Sequence, residues 1–87
     1  MSIHELKTDR IPFIATLNGW RNFEVVPDNP VIRIGDQIRL TETLEGAETG
    51  RAIRVVVNYK ILGDGNGIDR SYCVLGTQII RVFNCKK

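Results

Sequence analysis

Residues 51–62 alternate between apolar and polar side chains over twelve positions, and this pattern constrains the fold most strongly. One face carries Ile53, Val55, Val57, Tyr59 and Ile61, and the other carries Arg54, Asn58 and Lys60. A period of two is typical of a strand with one buried face, and a slip of one residue would expose the whole apolar set. The segment therefore predicts a long, half-buried strand of fixed register, with Tyr59 in the core.

Weaker patterns predict further strands over residues 2–7, 22–26, 37–44 and 72–83. In residues 37–44, the apolar side chains Ile38, Leu40 and Leu44 share one face. Residues 72–83 form either one bulged strand or two strands around Gly76, with Tyr72 in the core. Of the 87 residues, 25 are Ile, Val or Thr, and this β-branched bias favours strands over helices.

A helix of about three turns is predicted between the first two strands. Thr8 or Asp9 can cap it, and Pro12 falls in the first turn, where a missing N–H is tolerated. Its apolar stripe consists of Phe13, Ile14 and Leu17. Asn18 and Gly19 provide the stop signal.

The order strand, helix, then several strands predicts a single domain over residues 1–87 of mainly β (α+β) class. One helix cannot cover a flat sheet, so the sheet must curl over its own core. We therefore expect a small, partly open barrel of about five to six strands with one helix near the N-terminus. The Pro-rich residues 27–30 and the Gly-rich residues 63–70 are expected to be turns or loops.

Cysteine usage and the first residues bear on the compartment. Cys73 and Cys85 lie 12 residues apart, and an extended segment of that length spans roughly 40 Å, too far for a disulfide unless the chain folds back. A reduced, cytoplasmic protein is the simpler interpretation. We find no apolar signal segment, no membrane span and no metal-ligand spacing, so no membrane, metal or cofactor is expected.

The charge balance leans weakly towards anionic ligands. Arg outnumbers Lys by 8 to 4, but the formal net charge is only +2. Guanidinium groups suit forked contacts with phosphate or carboxylate and stacking on bases. The alternative is that the arginines simply occupy the solvated faces of strands.

The residues after the helix combine groups that could bind a ligand. Arg21 and Glu24 can form a pair only if Arg21 still belongs to the turn, because an odd spacing in a strand separates them onto opposite faces. Trp20 either covers the end of the barrel or offers a stacking surface for a base. His4 has no neighbouring ligand residues in the sequence, which favours a structural or surface role over general-base catalysis.

Five stretches of the chain resemble the ASCH group of the PUA-like superfamily, and within it a small family of phage and bacterial proteins: HELK (4–7), NGWRNFE (18–24), IGDQI (34–38), TGR (49–51) and YCVL (72–75). The ASCH signature is Gly-Lys-Lys-x-x-Glu-x-Arg. Gly19 and Glu24 match it, whereas Trp20 and Arg21 occupy the lysine positions and Val26 the arginine position.

The resemblance implies a β-barrel with a cleft beside residues 19–24 that binds RNA or nucleotide-like ligands. Some ASCH proteins resemble hydrolases that remove acyl groups from modified cytidine with a lysine, a hydroxyl residue and a glutamate, and others look like ribonucleases. Arg21 stands where such a lysine would be, and guanidinium cannot lose its proton at working pH. The substitution favours binding over catalysis and leaves open whether the protein is an enzyme.

The leading hypothesis is a module that binds RNA, another single-stranded nucleic acid or a nucleoside ligand. Lys7 and Arg21 would neutralise phosphate, Trp20 would stack, and Glu24 would bind a base edge or orient Arg21. A second hypothesis is a small hydrolase with Lys7 and Glu24 as acid–base residues and Thr8 as the hydroxyl partner. A third, based on the near-neutral charge and compact size, is a phage-type factor that binds a host protein.

Overall fold

The computed structural model describes residues 2–28 and 30–84. Within them the chain forms five strands and one helix, in the order β1 (Ile3–Asp9), α1 (Arg10–Leu17), β2 (Phe23–Pro27), β3 (Gln37–Leu44), β4 (Ala47–Leu62) and β5 (Tyr72–Asn84). The strands form a sheet in the order β1-β3-β4-β5-β2. β1 runs parallel to β3, and the other neighbours are antiparallel. The predicted mainly β fold with one helix is confirmed.

The sheet is curled, so that its two edges approach each other. His4 and Leu6 of the edge strand β1 line the same cavity, of about 300 Å³, as Val26 and Pro27 of the opposite edge strand β2. β1 pairs with β3 and β2 pairs with β5. The predicted partly open barrel is therefore confirmed as a half-barrel.

The core lies on the inner face of the curl. Its buried side chains come from strands β2 to β5, from the helix and from the segment before β3. They are Val26, Ile38, Leu40, Ile53, Val55, Val57, Cys73, Leu75, Phe13 and Ile32. Leu6, Leu17 and Ile79 pack against this cluster at its margin. The alternation predicted for residues 53–57 is confirmed, since Ile53, Val55 and Val57 are each at most 1% exposed.

Helix α1 packs against β1 and β3 through its buried residues Phe13 and Thr16. It has eight residues, little more than two turns, rather than the three turns predicted. Asp9 occupies the N-cap position, but its carboxylate accepts a hydrogen bond from Thr43 Oγ1 at 3.1 Å instead of capping the helix. The helix stop at Asn18 and Gly19 is as predicted.

Several side chains that the sequence assigned to the core are exposed, and most of them lie beyond a register shift. Val57 pairs with Thr77 and Tyr59 with Gly76, so Asn58 is an extra residue in β4, and Tyr59 beyond it is 61% exposed. A second irregularity lies between Thr41 and Thr43 of β3, and Leu44 after it is 43% exposed. Tyr72, the first residue of β5, is 42% exposed. Ile61, also beyond Asn58, is 45% exposed. The prediction that Leu44, Tyr59, Ile61 and Tyr72 lie on buried faces was wrong.

β5 is one continuous strand rather than two, and β4 begins at Ala47, four residues earlier than predicted. Cys73 is a free, buried cysteine, and burial raises the pKa of its thiol. Cys85 lies outside the described residues, so the predicted absence of a disulfide stays a prediction. None of the helical structure in the described ranges is long and apolar enough to cross a membrane.

Replacing Ile53 by Ala should lower the free energy of unfolding by about 2–5 kcal/mol, because it leaves a cavity in the core. Ile61→Ala, at a position that is 45% exposed on the same strand, should cost less than about 1 kcal/mol. Urea denaturation of both variants measures the difference. Equal losses would contradict a change of face at Asn58.

Candidate functional site

The turn after α1 is built by a helix stop that sends the chain towards β2. The N–H of Gly19 donates to the Thr16 carbonyl at 3.0 Å, and the N–H groups of Trp20 and Arg21 both donate to the Ala15 carbonyl. Gly19 has φ +78°, a conformation that side-chain-bearing residues rarely adopt. This tight reversal places Arg21 before the first residue of β2.

Arg21 and Glu24 face each other. The sequence allowed this pair only if Arg21 belonged to the turn, and Arg21 does precede the first residue of β2. Arg21 Nη2 lies 3.7 Å from Glu24 Oε1, and the guanidinium carbon lies 4.5 Å from the centre of the Phe23 ring. Arg21 Nε and Glu24 Oε2 are buried, and neither has a hydrogen-bond partner within the described part of the chain. The pair therefore contains one donor and one acceptor that the described part of the protein leaves unpaired.

Burial dominates the environment of Glu24. The residue is 7% exposed, and desolvation raises the pKa of its carboxyl even though the charge and hydrogen bond of Arg21 act in the opposite direction. A buried carboxylate with an unsatisfied oxygen is costly to a fold. Such groups are common at functional sites, where a ligand supplies the missing partner.

A cleft of about 420 Å³, which we call the Arg21 cleft, is lined by Arg21, whereas Glu24 lies behind Arg21 and is not part of the lining. The lining of the cleft is Thr16, Gly19, Arg21, Asn22, Asn58, Thr77, Gln78 and Ile79. Three side-chain amides among them can each donate and accept hydrogen bonds. The lining is therefore suited to the mixed donor and acceptor edges of a planar heterocycle.

The sequence did not indicate four of the polar residues that line the cleft: Asn22, Asn58, Thr77 and Gln78. Asn58 reaches the cleft because it is the extra residue of β4, opposite the β5 residues Gly76 and Thr77. A polar residue between Val57 and Tyr59 continues the alternation, so the sequence carried no signal of the shift.

Trp20 is 78% exposed. The interpretation of this ring as cover for the barrel end is therefore wrong, and its face is free to stack. It lies between Gly19 and Arg21 in the chain, two residues that line the cleft, but it is not itself part of the lining.

The structure does not bring Lys7 and Thr8 to Glu24. The Lys7 side chain is 71% exposed, and its Nζ lies 3.8 Å from a carboxylate oxygen of Glu48. Thr8 is buried and in register with Glu42 across β1 and β3, whereas Glu24 is in register with Leu75 of β5. A catalytic group made of Lys7, Thr8 and Glu24 is not assembled.

His4 has a structural role, because it is one of three hydrogen-bond donors to the Asp36 carboxylate in the described part of the chain. The Asp36 carboxylate accepts hydrogen bonds from the Arg33 N–H and His4 Nε2, both at 3.0 Å, and from the Ser2 N–H at 3.1 Å. The backbone hydrogen bond from Arg33 is the largest of several contributions that lower the pKa of Asp36. These contacts fix the start of β1 against the turn before β3.

Glu42 forms a second buried cluster that the sequence did not indicate. It is 1% exposed, and its two oxygens accept hydrogen bonds from Arg51 Nε at 2.8 Å and Nη2 at 2.7 Å. Thr49 Oγ1 donates at 2.5 Å, and Arg10 Nε lies 3.9 Å away. The forked hydrogen bonds from Arg51 are the main reason that the pKa of Glu42 is lowered. Because its bonds are satisfied internally, this cluster is structural.

Residues 3–77 match the model of a family described as a domain of unknown function, DUF3850. A search of curated proteins finds no match to the chain.

Replacing Glu24 by Gln should stabilise the fold at pH 7 by roughly 1 kcal/mol, because the desolvation of the Glu24 carboxylate outweighs its attraction to Arg21. A raised pKa means that the folded state binds more protons than the unfolded state above about pH 4, so the wild type loses stability as pH rises. The stability gained by the Glu24→Gln variant should therefore disappear below about pH 4. Urea denaturation at pH 7 and below pH 4, with the exposed Glu48→Gln as control, measures this difference in the free energy of unfolding. Lower stability of the Glu24 variant at pH 7 would contradict this account.

Replacing Glu42 by Gln should have the opposite effect and destabilise the fold at pH 7 by about 3 kcal/mol, since it weakens a buried, forked ion pair. Because the pKa of Glu42 is lower in the folded state than in the unfolded state, the ionised carboxylate stabilises the fold above the usual carboxyl pKa. This stabilisation is lost as the pH falls through the pKa of the folded state. The difference between wild type and variant should therefore narrow in acid. Thermal melts over a pH series, again with Glu48→Gln as control, test this; a pH-independent difference would contradict it.

Proposed function

The chain belongs to the DUF3850 family, and we propose that it is a nucleic-acid-binding module that takes a segment of single-stranded RNA or a nucleotide-like ligand in the Arg21 cleft. The observation that carries the proposal is the buried Arg21–Glu24 pair, with one unused donor and one unused acceptor. The resemblance of residues 18–24 to the ASCH signature supports the same class of ligand.

Each group around the cleft has a chemical counterpart in a nucleotide. Glu24 can accept a hydrogen bond from an exocyclic amino group of a base, and Arg21 can donate to a base edge or to phosphate. The amides of Asn22, Asn58 and Gln78 suit the remaining donors and acceptors of the base. A cleft of about 420 Å³ is within the usual size range of small-ligand sites.

Stacking provides the second part of the recognition. The exposed ring of Trp20 offers a flat apolar surface next to Arg21, and base–aromatic stacking contributes about 1–3 kcal/mol per base without strong sequence preference. Arg21 is held in place by the Phe23 ring on one face, which limits the side-chain entropy lost when a ligand binds. Binding without turnover is the activity we propose, because guanidinium does not act as a base.

Titration of nucleoside monophosphates and an unstructured oligoribonucleotide, at low and at physiological salt, tests the proposal. Trp20 is the only tryptophan in the sequence, so its fluorescence should report ligand stacking directly. We expect Arg21→Ala to weaken binding roughly tenfold. Glu24→Gln should change the preference among bases, because an amide both donates and accepts.

The exposed Arg33→Ala is the matched control for Arg21→Ala, since it removes the same charge away from the cleft. Trp20→Phe should retain most of the affinity and Trp20→Ala should lose it, which isotherms from calorimetry can measure. Absence of binding, or equal affinities for Arg21→Ala and Arg33→Ala, would overturn the proposal.

A further inference from the structure

Three arginines lie side by side on the outer face of the sheet, away from the core. Arg39 of β3 is in register with Arg54 of β4, and Arg54 is in register with Arg81 of β5. Adjacent strands are about 4.8 Å apart, so this arginine row spans roughly 10 Å. Like charges directly opposite each other on neighbouring strands destabilise a sheet. The row is therefore a cost to the fold that calls for a ligand of opposite charge.

One aromatic ring holds the arginine row together. The guanidinium carbons of Arg39, Arg54 and Arg81 lie 4.7, 5.6 and 5.2 Å from the centre of the Phe83 ring. Phe83 is in register with Ala52, which is 1% exposed. Since Phe83 belongs to β5 and Arg39 to β3, the ring must extend across β4 above the small Ala52 side chain.

One acidic residue borders the row, since Glu5 of the edge strand β1 is in register with Arg39, but it forms no ion pair with the row. The ion pairs in the described part of the chain involve other cations, and no carboxylate there lies within 4.0 Å of these three guanidinium groups. Arg54 Nε is buried without a hydrogen-bond partner. Stacking on Phe83 occupies the face of a guanidinium group and leaves the donors in its plane free. Apart from the buried Arg54 Nε, the row therefore has in-plane N–H donors that an anion can bind.

We propose that the arginine row binds the phosphate backbone of a single-stranded nucleic acid. A row of fixed positive charges fits an anion that repeats along a chain, and in-plane N–H donors form forked bonds with phosphate oxygens. The guanidinium planes and Phe83 also offer surfaces on which bases can stack. This combination favours a nucleic acid over an acidic peptide, which has no rings to stack. The proposal does not depend on binding in the Arg21 cleft.

Binding of oligouridylate and oligothymidylate over a salt series tests the proposal. The double variant Arg39→Gln/Arg81→Gln should bind roughly tenfold more weakly than wild type. The slope of log affinity against log salt should fall by about 1.4, at about 0.7 per lost phosphate contact on a single strand. The control Arg33→Gln/Arg70→Gln removes the same charge from exposed sites elsewhere and should leave both quantities nearly unchanged.

Two further variants separate the possible outcomes. Arg39→Lys/Arg81→Lys retains the charge, and a partial loss of affinity would support forked contacts with phosphate. Phe83→Leu should weaken binding if the ring orients the row. Equal loss in the Arg39/Arg81 and Arg33/Arg70 double variants, or tighter binding of polyglutamate than of oligouridylate, would overturn the proposal.

The same set distinguishes the row from the cleft. Uridine monophosphate binding should respond to Arg21→Ala and not to Arg39→Gln/Arg81→Gln. If the row variants bind oligouridylate as tightly as wild type while Arg21→Ala still weakens binding of uridine monophosphate, the proposal for the row is overturned and that for the cleft stands. The reverse result would overturn the cleft alone.

Discussion

One extra residue in β4 determines much of this structure. Asn58 lies between two residues that pair with consecutive positions of β5, so it has no partner there and the strand changes face. The core stripe of β4 ends at Val57, and Tyr59 beyond it is exposed. A Cβ atom built on the opposite residue, Gly76, would lie 2.8 Å from Asn58 Oδ1, so a larger residue there would displace the Asn58 side chain. The register shift at Asn58 thus ends the buried stripe of β4 at Val57 and places Asn58 in the lining of the Arg21 cleft.

The buried carboxyl groups differ in how completely the protein satisfies them. Asp36 and Glu42 are surrounded by donors from the protein itself, and their pKa values are lowered. Glu24 is comparably buried but keeps an unused oxygen, and its pKa is raised. Since all three residues are at most 7% exposed, the difference separates two carboxyl groups that stabilise the fold from one that lacks a hydrogen-bond partner at one oxygen within the described part of the chain. That contrast, more than the size of any cavity, identifies the candidate site.

Local periodicity was sufficient to predict most of the architecture. The bounds of the strand over residues 37–44, the helix stop at Asn18 and the buried stripe of β4 follow from patterns that extend over a few neighbouring residues. Leu44 and Tyr59 were assigned to the wrong face because each lies beyond a register shift, and a period of two cannot be continued through one. Burial of Glu42 could not be foreseen, since its partners arise where residues 49–51 of β4 oppose a single residue of β3.

The candidate site was predictable only in part. Arg21, Glu24 and Trp20 were identified from the turn that contains them, whereas Lys7 was assigned to the same place only because it ends a segment near the helix. Its exposure and its pairing with Glu48 depend on which face of β1 it occupies. The amides of the cleft depend on the pairing of β4 with β5, which no short segment encodes.

The strand order also determines when the site can exist during folding. The edge strands β1 and β2 both lie in the first third of the chain, and their partners β3 and β5 lie further along it. Residues 2–28 therefore lack the strands against which they pair until the β3–β4–β5 meander has formed. Contacts between distant parts of a sequence are slow to form. Glu24 is buried only when β2 docks on β5, so the ability to bind a ligand in the cleft should appear among the last events of folding.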